Sequence, residues 1–231
     1  MKRLLFLLSW LIVAVPAIML ISPALIPAQE LKPIKLLEPQ LDRGKILMRA
    51  LKERHSTREY VEKKVSLQDL SNLLWAAWGI SRKEMDISRP ELPYSYYRTA
   101  PSGHNWQEID LYVVTAEGVY FYDAIENMLN PILEGDIRFL AGTQQFVSMV
   151  PVNLIYVFNP SRKPGGASEG NIRSAYATTG AMCENVYLYC ASEGLACVMR
   201  GMVDKPALSK AMKLGADQMI IVGQTVGYAK E

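Results

Sequence analysis

The sequence predicts an α+β fold, a mostly antiparallel sheet packed by helices. Strand and helix patterns are mixed along the chain without a regular βαβ alternation. Two short strand patterns, "IDLYVVTA" and "VYFYD", are separated only by Glu117-Gly118 and read as a β-hairpin, the tight antiparallel connection. Half of the 231 residues are hydrophobic, ample for one core, and the length suits one domain with an N-terminal extension.

That extension comes first. Lys2 and Arg3 open an apolar run that carries no charge until Glu30, so residues 1–28 read as a signal peptide or a membrane anchor. Small-residue sites at Ser22-Pro23-Ala24 and Ile26-Pro27-Ala28 suit cleavage, while the apolar stretch 4–21 nearly suffices for a membrane tether. Either way the expected location is exported, periplasmic or extracytoplasmic. Residues 29–41, with two prolines and mixed polarity, read as a linker, and residues 42–231 as the folded domain.

Within the domain, Ile46, Leu47, Ala50 and Leu51 fall at helical spacing. A second helix follows in "VSLQDLSNLLWAAWGI", with Ser66 as N-cap, Asp69 three residues on, and Leu70, Leu73, Leu74 and Ala77 on one stripe. The tyrosine-rich "SRPELPYSYYRTAPSGHNWQ" reads as a polar loop before the hairpin. Leu133 to Met149 has a helical pattern closed by Pro151, and "VNLIYVF" is a buried strand. After the loop "NPSRKPGGASEG" comes the longest helix, roughly Ile172 to Glu193. "LACVM" reads as a strand, "PALSKAMKL" as a helix opened by Pro206, and "QMIIVGQTVGY" as the last strand.

Composition narrows the function. The net charge is +2 with basic and acidic residues interspersed, which gives no one-sided basic face for nucleic acid. Cys183, Cys190 and Cys197 are seven apart; on one helix the first two stand roughly 10 Å apart, too far for a disulfide, and all three read as buried thiols. Neither histidine, His55 or His104, has a partner at metal-ligand spacing, so no metal is expected. Gly166-Ala167-Ser168-Glu169-Gly170 matches a serine-hydrolase elbow, but a loop separates it from the preceding strand and no histidine follows it. Neither a phosphate-binding P-loop nor a dinucleotide fingerprint is present.

Two clusters remain. "LKERHSTREY" packs Arg54, His55, Ser56 and Arg58 into five residues behind the first helix. Two guanidinium forks and a hydroxyl make a grip for a phosphate monoester, though a solvated helix end has the same composition. "TAPSGHNWQ" gathers Ser102, His104, Asn105 and Gln107, which can bond the polar edge of a flat heterocycle or merely cap a helix.

These residues resemble the flavin-dependent nitroreductase family, in a branch similar to the azoline-oxidising dehydrogenases of thiazole and oxazole peptide biosynthesis. "RHSTREY" looks like that family's N-terminal phosphate-gripping motif, and "LQDLSNLLWAAWGISR" is similar to the helix after it. "RTAPSGHNWQEIDLYVV" looks like the segment before the first central strand, and "GVYFYD" resembles the branch's hairpin. "QQFVSMVPVNLIYVF", "GAMCENVYLYCASEGLACVMRGM" and the closing "VGYAK" follow in the expected order.

The resemblance implies a nitroreductase-like fold and an obligate homodimer with FMN at the interface. Arg54, His55, Ser56 and Arg58 would hold its phosphate and ribityl chain. Pro101, Ser102, Gly103 and Asn105 would reach the flavin bound mainly by the other chain, with Gln107 supporting their turn. Gln144 would meet the ring or ribityl group. Met199, Arg200 and Gly201 match the strand-end loop whose backbone approaches flavin N5, so no side chain is expected to be catalytic. Many relatives carry a further basic phosphate ligand past the final strand, for which only Lys230 could substitute here. Arg200, where several relatives are acidic, would stabilise negative charge near flavin N1 and O2 or face solvent. The long helix would supply much of the dimer interface.

The implied activity is a ping-pong FMN-dependent oxidoreductase, with NAD(P)H or another reductant and a small electrophilic acceptor such as a nitro compound or quinone. An azoline-type dehydrogenase, and an exported flavin-binding or scaffold protein without turnover, are the alternatives.

Overall fold

The computed structural model describes residues 30–85 and 94–230. The expected signal or anchor, residues 1–28, lies outside them. Among the described residues no helix is long and apolar enough to cross a membrane.

The fold is α+β, with helices on an antiparallel sheet as expected. An eight-stranded sheet runs β1 (Ile34–Lys35), β7 (Met128–Glu134), β6 (Gly118–Asp123), β5 (Ile109–Val114), β8 (Val152–Phe158), β10 (Met219–Ala229) and β2 (Tyr60–Val61). β9 (Ala196–Arg200) also pairs with β10. Every pairing is antiparallel, the predicted β5–β6 hairpin included, with Val114 opposite Val119.

β5 and β8 are buried at every position, because both faces of the sheet are covered. On one face lie α2 (Leu67–Trp78) and α3 (Glu169–Glu193), whose Leu73, Leu74, Met182 and Val186 are fully buried. On the other, α4 (Lys205–Ala211) joins Ala141 and Val147 against Ile155 and Val157.

The local signals explain the helix ends. The Ser66 hydroxyl accepts from the Asp69 N–H at 3.0 Å and caps α2. Gly79 ends that helix where a Cβ would meet the Trp75 ring at 2.4 Å. Ser168, the serine of the false hydrolase motif, is the N-cap of α3, and Gly194 at φ 73° closes it. α1 (Leu47–Glu53) buries only Ala50.

Four expectations are corrected. Leu133 to Met149 is not a helix: Leu133 and Glu134 finish β7, and only short 3-10 turns follow at Arg138–Leu140 and Gln145–Ser148. Gly135 at φ 100° breaks the pattern, and the Asp136 carboxylate accepts from the Arg138 N–H at 3.1 Å, diverting a helical donor. The sequence pattern does not announce β7, whose Pro131 is tolerated where the register with β6 shifts. The expected linker is partly structured, since β1 pairs with β7 and Leu36 is buried. The tyrosine-rich loop contains β4 (Tyr94–Arg98), paired with β3 (Ile80–Met85).

Candidate functional site

α1 stops at Arg54, whose N–H returns to the Ala50 carbonyl at 2.8 Å before the chain turns extended. The Thr57 N–H then donates to the Cys197 carbonyl at 3.0 Å, so the basic segment lies along β9. The Arg54 guanidinium sits 5.2 Å from the Tyr187 ring centroid, and its Nε is 4.0 Å from Glu184 Oε1, the outer limit of an ion pair. His55 is exposed, with Nδ1 2.7 Å from the Glu53 carbonyl. Arg58 is exposed as well. Its neighbour Glu59 accepts from the Lys230 N–H at 3.1 Å, which brings the C-terminal Lys230 beside the cluster.

Tyr187 joins this edge to the end of β9. Its hydroxyl accepts from the Met199 N–H at 2.9 Å and meets Ser56 Oγ at 2.8 Å. A phenol that accepts from Met199 is free to donate to Ser56, leaving the serine proton available for a ligand. Sequence reasoning missed Tyr187. The available signal was its place on the stripe Cys183, Val186, Tyr187, Cys190, which reads equally as core.

Beyond Met199 the wall opens. A Cβ at Gly201 would meet nothing within 4 Å, and the side chains of Met199 and Met202 are exposed. Thr143 donates to the Met202 carbonyl at 3.3 Å, so Gln144 is drawn to the same edge. Gln144 Oε1 is enclosed yet has no hydrogen-bond partner. Of the two readings of Arg200, the solvent-facing one is excluded: the residue is buried, because its guanidinium reaches Thr225, Asn153 and the Ala141 carbonyl inside the domain. Its pKa is lowered to about 10 by that burial.

Pro101, Ser102, Gly103 and Asn105 lie elsewhere. They lie in and before a short 3-10 turn, Gly103–Asn105, after β4; His104, Asn105 and, just past it, Gln107 have positive φ, at 50°, 54° and 53°. Gln107 secures it: its amide donates to the Tyr96 carbonyl at 2.6 Å and to Asn105 Oδ1 at 3.0 Å, and its Oε1 accepts from Arg98 at 2.7 Å. Ser102 Oγ accepts from the Gln107 N–H at 3.1 Å. Beneath the turn, Lys163 Nζ is 2.9 Å from Ser174 Oγ, 3.7 Å from buried Glu108 and 4.5 Å from the Trp106 ring centroid. Gly103 faces Ser174, whereas Tyr187 stands roughly 20 Å further along α3 at 1.5 Å per residue. One chain therefore unites Arg54, Ser56, Gln144, Met199, Gly201 and Lys230 on one edge and holds the Asn105 turn away from them.

The edge is open rather than enclosed. A cavity of about 590 Å³, lined by Lys63, Leu70, Tyr120, Met149 and Val152 among others, contains none of the predicted site residues. Cys183, Cys190 and Cys197 are buried free thiols, as read from their spacing. Among the described residues no group of three His, Cys, Asp or Glu is placed to hold a metal.

The residues present suit FMN. An unpartnered Gln144 carbonyl oxygen, the Ser56 hydroxyl, the Arg54 guanidinium with only a marginal ion pair to Glu184, and a strand end open at Gly201 match a ligand with a phosphate, a polyol and a polar heterocycle.

A sequence model described as the nitroreductase family matches residues 51–228. A nitroreductase-type protein of Methanocaldococcus jannaschii is 26% identical over 172 residues, covering 70% of this chain and 81% of that one. Among solved structures, a nitroreductase-type protein from Ralstonia eutropha is 37% identical, covers 89% of this chain and 92% of its own, and superposes with a TM-score of 0.77. A chain of the Escherichia coli microcin synthetase complex shares the fold at 19% identity and a TM-score of 0.65, covering 78% of this chain and 70% of its own.

Proposed function

This chain belongs to the nitroreductase family of oxidoreductases, and from that premise we propose that it is an FMN-dependent, homodimeric enzyme that passes electrons to a small electrophilic acceptor such as a nitro compound or quinone. The observation that carries this reading is the Tyr187 hydroxyl, which joins Ser56 of the basic segment to Met199 at the end of β9. A phosphate grip and a flavin-facing strand end are thereby held on one edge.

In this reading Arg54, Arg58 and Lys230 take the phosphate, Ser56 and His55 lie along the ribityl chain, and Gln144 supplies its unpartnered oxygen to the ring or ribityl group. FMN held there would supply the two-electron hydride chemistry that links NAD(P)H or another donor to the acceptor. The backbone of Arg200 and Gly201 orients the ring edge, and the exposed Met199 and Met202 offer an apolar flank for substrate. No side chain is required to form a bond.

The second copy is part of the proposal. Ile46, Leu47 and Met48, at 78%, 62% and 72% exposure, form an apolar face that none of the described residues covers. A two-fold partner packed there and along α3 would also bring its own Pro101, Ser102, Gly103 and Asn105 to the flavin. Extracytoplasmic placement through residues 1–28 belongs to the same reading.

The test is the visible absorbance of the purified full-length protein. Flavin bands, release of FMN on denaturation, and loss of both in Arg54→Ala are expected. A folded, colourless protein that cannot be reconstituted with FMN would reject the reading.

A further inference from the structure

Arg200 closes β9 with its side chain turned into the domain, and every acceptor it meets is neutral. Nε donates to Thr225 Oγ1 at 2.8 Å, Nη1 to the Ala141 carbonyl at 2.8 Å and Nη2 to Asn153 Oδ1 at 3.0 Å. Among the described residues no carboxylate pairs with it. The residue is 4% exposed, and a pKa of about 10 leaves it charged at neutral pH.

The surroundings are shaped to admit it. A Cβ on Gly142 would come within 2.0 Å of Nη1, and one on Gly223 within 3.2 Å of Nη2. Burying a charge with no counter-charge is costly, and hydrogen bonds to neutral groups offset only part of that cost. Tying β8, β9, β10 and the Ala141 turn together does not by itself require a cation, since neutral side chains can bridge the same oxygens. The charge therefore asks for a role of its own.

Its position supplies one. The turn that takes Nη1 at Ala141 continues to Gln144, and the Arg200 backbone runs between exposed Met199 and open Gly201. The guanidinium thus lies just behind the wall that faces the flavin in the reading above.

We propose that Arg200 is a fixed, uncompensated positive charge that raises the reduction potential of bound FMN. This rests on the FMN site proposed above. Uptake of two electrons and one proton by oxidised flavin leaves one additional negative charge on the ring system. A cation held nearby in a poorly screened interior favours that form. Arg200 acts through its field and touches no substrate.

The experiment is a dye-coupled potentiometric titration with dithionite as electron source, on the full-length protein reconstituted with FMN. Wild type is compared with Arg200→Gln, Arg200→Lys and Asn153→Asp. Arg200→Gln removes the charge. Asn153→Asp leaves the guanidinium in place and sets a carboxylate against it, giving up the Asn153 bond to the Val147 carbonyl at 3.0 Å; it keeps the test decisive if Arg200→Gln does not fold. Both are expected to shift the reduced-to-oxidised ratio at least tenfold toward oxidised flavin, about 30 mV for a two-electron couple. Arg200→Lys, which loses the fork but keeps the charge, is expected to stay near wild type. Bound FMN with an unmoved potential in the charge-altering variants, or an equal drop in the lysine variant, would overturn this proposal alone. Wild-type protein that takes up no FMN would overturn it together with the FMN reading.

Discussion

The hydroxyl of Tyr187 stands 2.9 Å from the backbone nitrogen of Met199 and accepts its hydrogen near the end of β9. The same oxygen meets Ser56 at 2.8 Å. One side chain from the C-terminal half of α3 therefore sets the spacing between the basic segment and the end of β9.

Tyr187→Phe keeps the ring and deletes both contacts. Leaving the Met199 donor without a partner is expected to cost about 1–3 kcal/mol of stability. FMN affinity should fall about tenfold as Ser56 and Met199 lose their common reference. Denaturant unfolding and FMN titration measure the two effects. Unchanged affinity would remove Tyr187 from the site.

Arg54, Arg58 and Lys230 are assigned to the phosphate, so their effect should depend on it. Each alanine variant is expected to weaken FMN binding about tenfold or more, and to leave riboflavin binding nearly unchanged. Raising the salt concentration should narrow the difference by screening. Equal losses for FMN and riboflavin would point to a structural role instead.

The separation of Arg54 from the Asn105 turn predicts sharing between subunits. Arg54→Ala and Asn105→Ala homodimers are each expected to bind FMN poorly. After co-refolding, mixed dimers should contain one doubly altered and one intact site, restoring roughly a quarter of all sites. If both residues serve the same site within one chain, every mixed-dimer site carries a defect and titration will find no recovery.

Burial pushes the Cys183 thiol up from 9.0 to about 12. Its proton is bound more tightly in the folded state, so the associated stability is complete below pH 9 and is lost as pH rises toward 12. Unfolding midpoints should fall across that window, and Cys183→Ala should make the fall shallower by up to about 1.4 kcal/mol per pH unit. Buried tyrosines such as Tyr112, also raised to about 12, add to the same slope. An identical slope in the variant would show that Cys183 does not contribute.

Legibility followed the range of the interactions. Ser66 with Asp69, the stripe Leu70, Leu73, Leu74 and Ala77, and the closely spaced β5–β6 hairpin are set within a few residues, and they were read correctly. Between Leu133 and Met149 the apolar spacing was real, for Val147 does face the core. Gly135, Asp136 and Gly142 nevertheless broke the segment into turns. Tyr94–Arg98 carries no strand signal of its own, because its pairing with β3 depends on a partner beyond its own pattern.

By itself the sequence determined the α+β class, the capped helices, the central strands and the collinear motifs, because periodicity, caps and turn residues act over a few positions of chain. Only the tertiary structure decided that Ile34 pairs with Leu129, that Tyr187 bridges Ser56 and Met199, that Arg200 turns inward to neutral acceptors, and that the Asn105 turn stands apart from Arg54. Those outcomes depend on contacts between distant parts of the chain, and such contacts exist only once the sheet and its covering helices have packed.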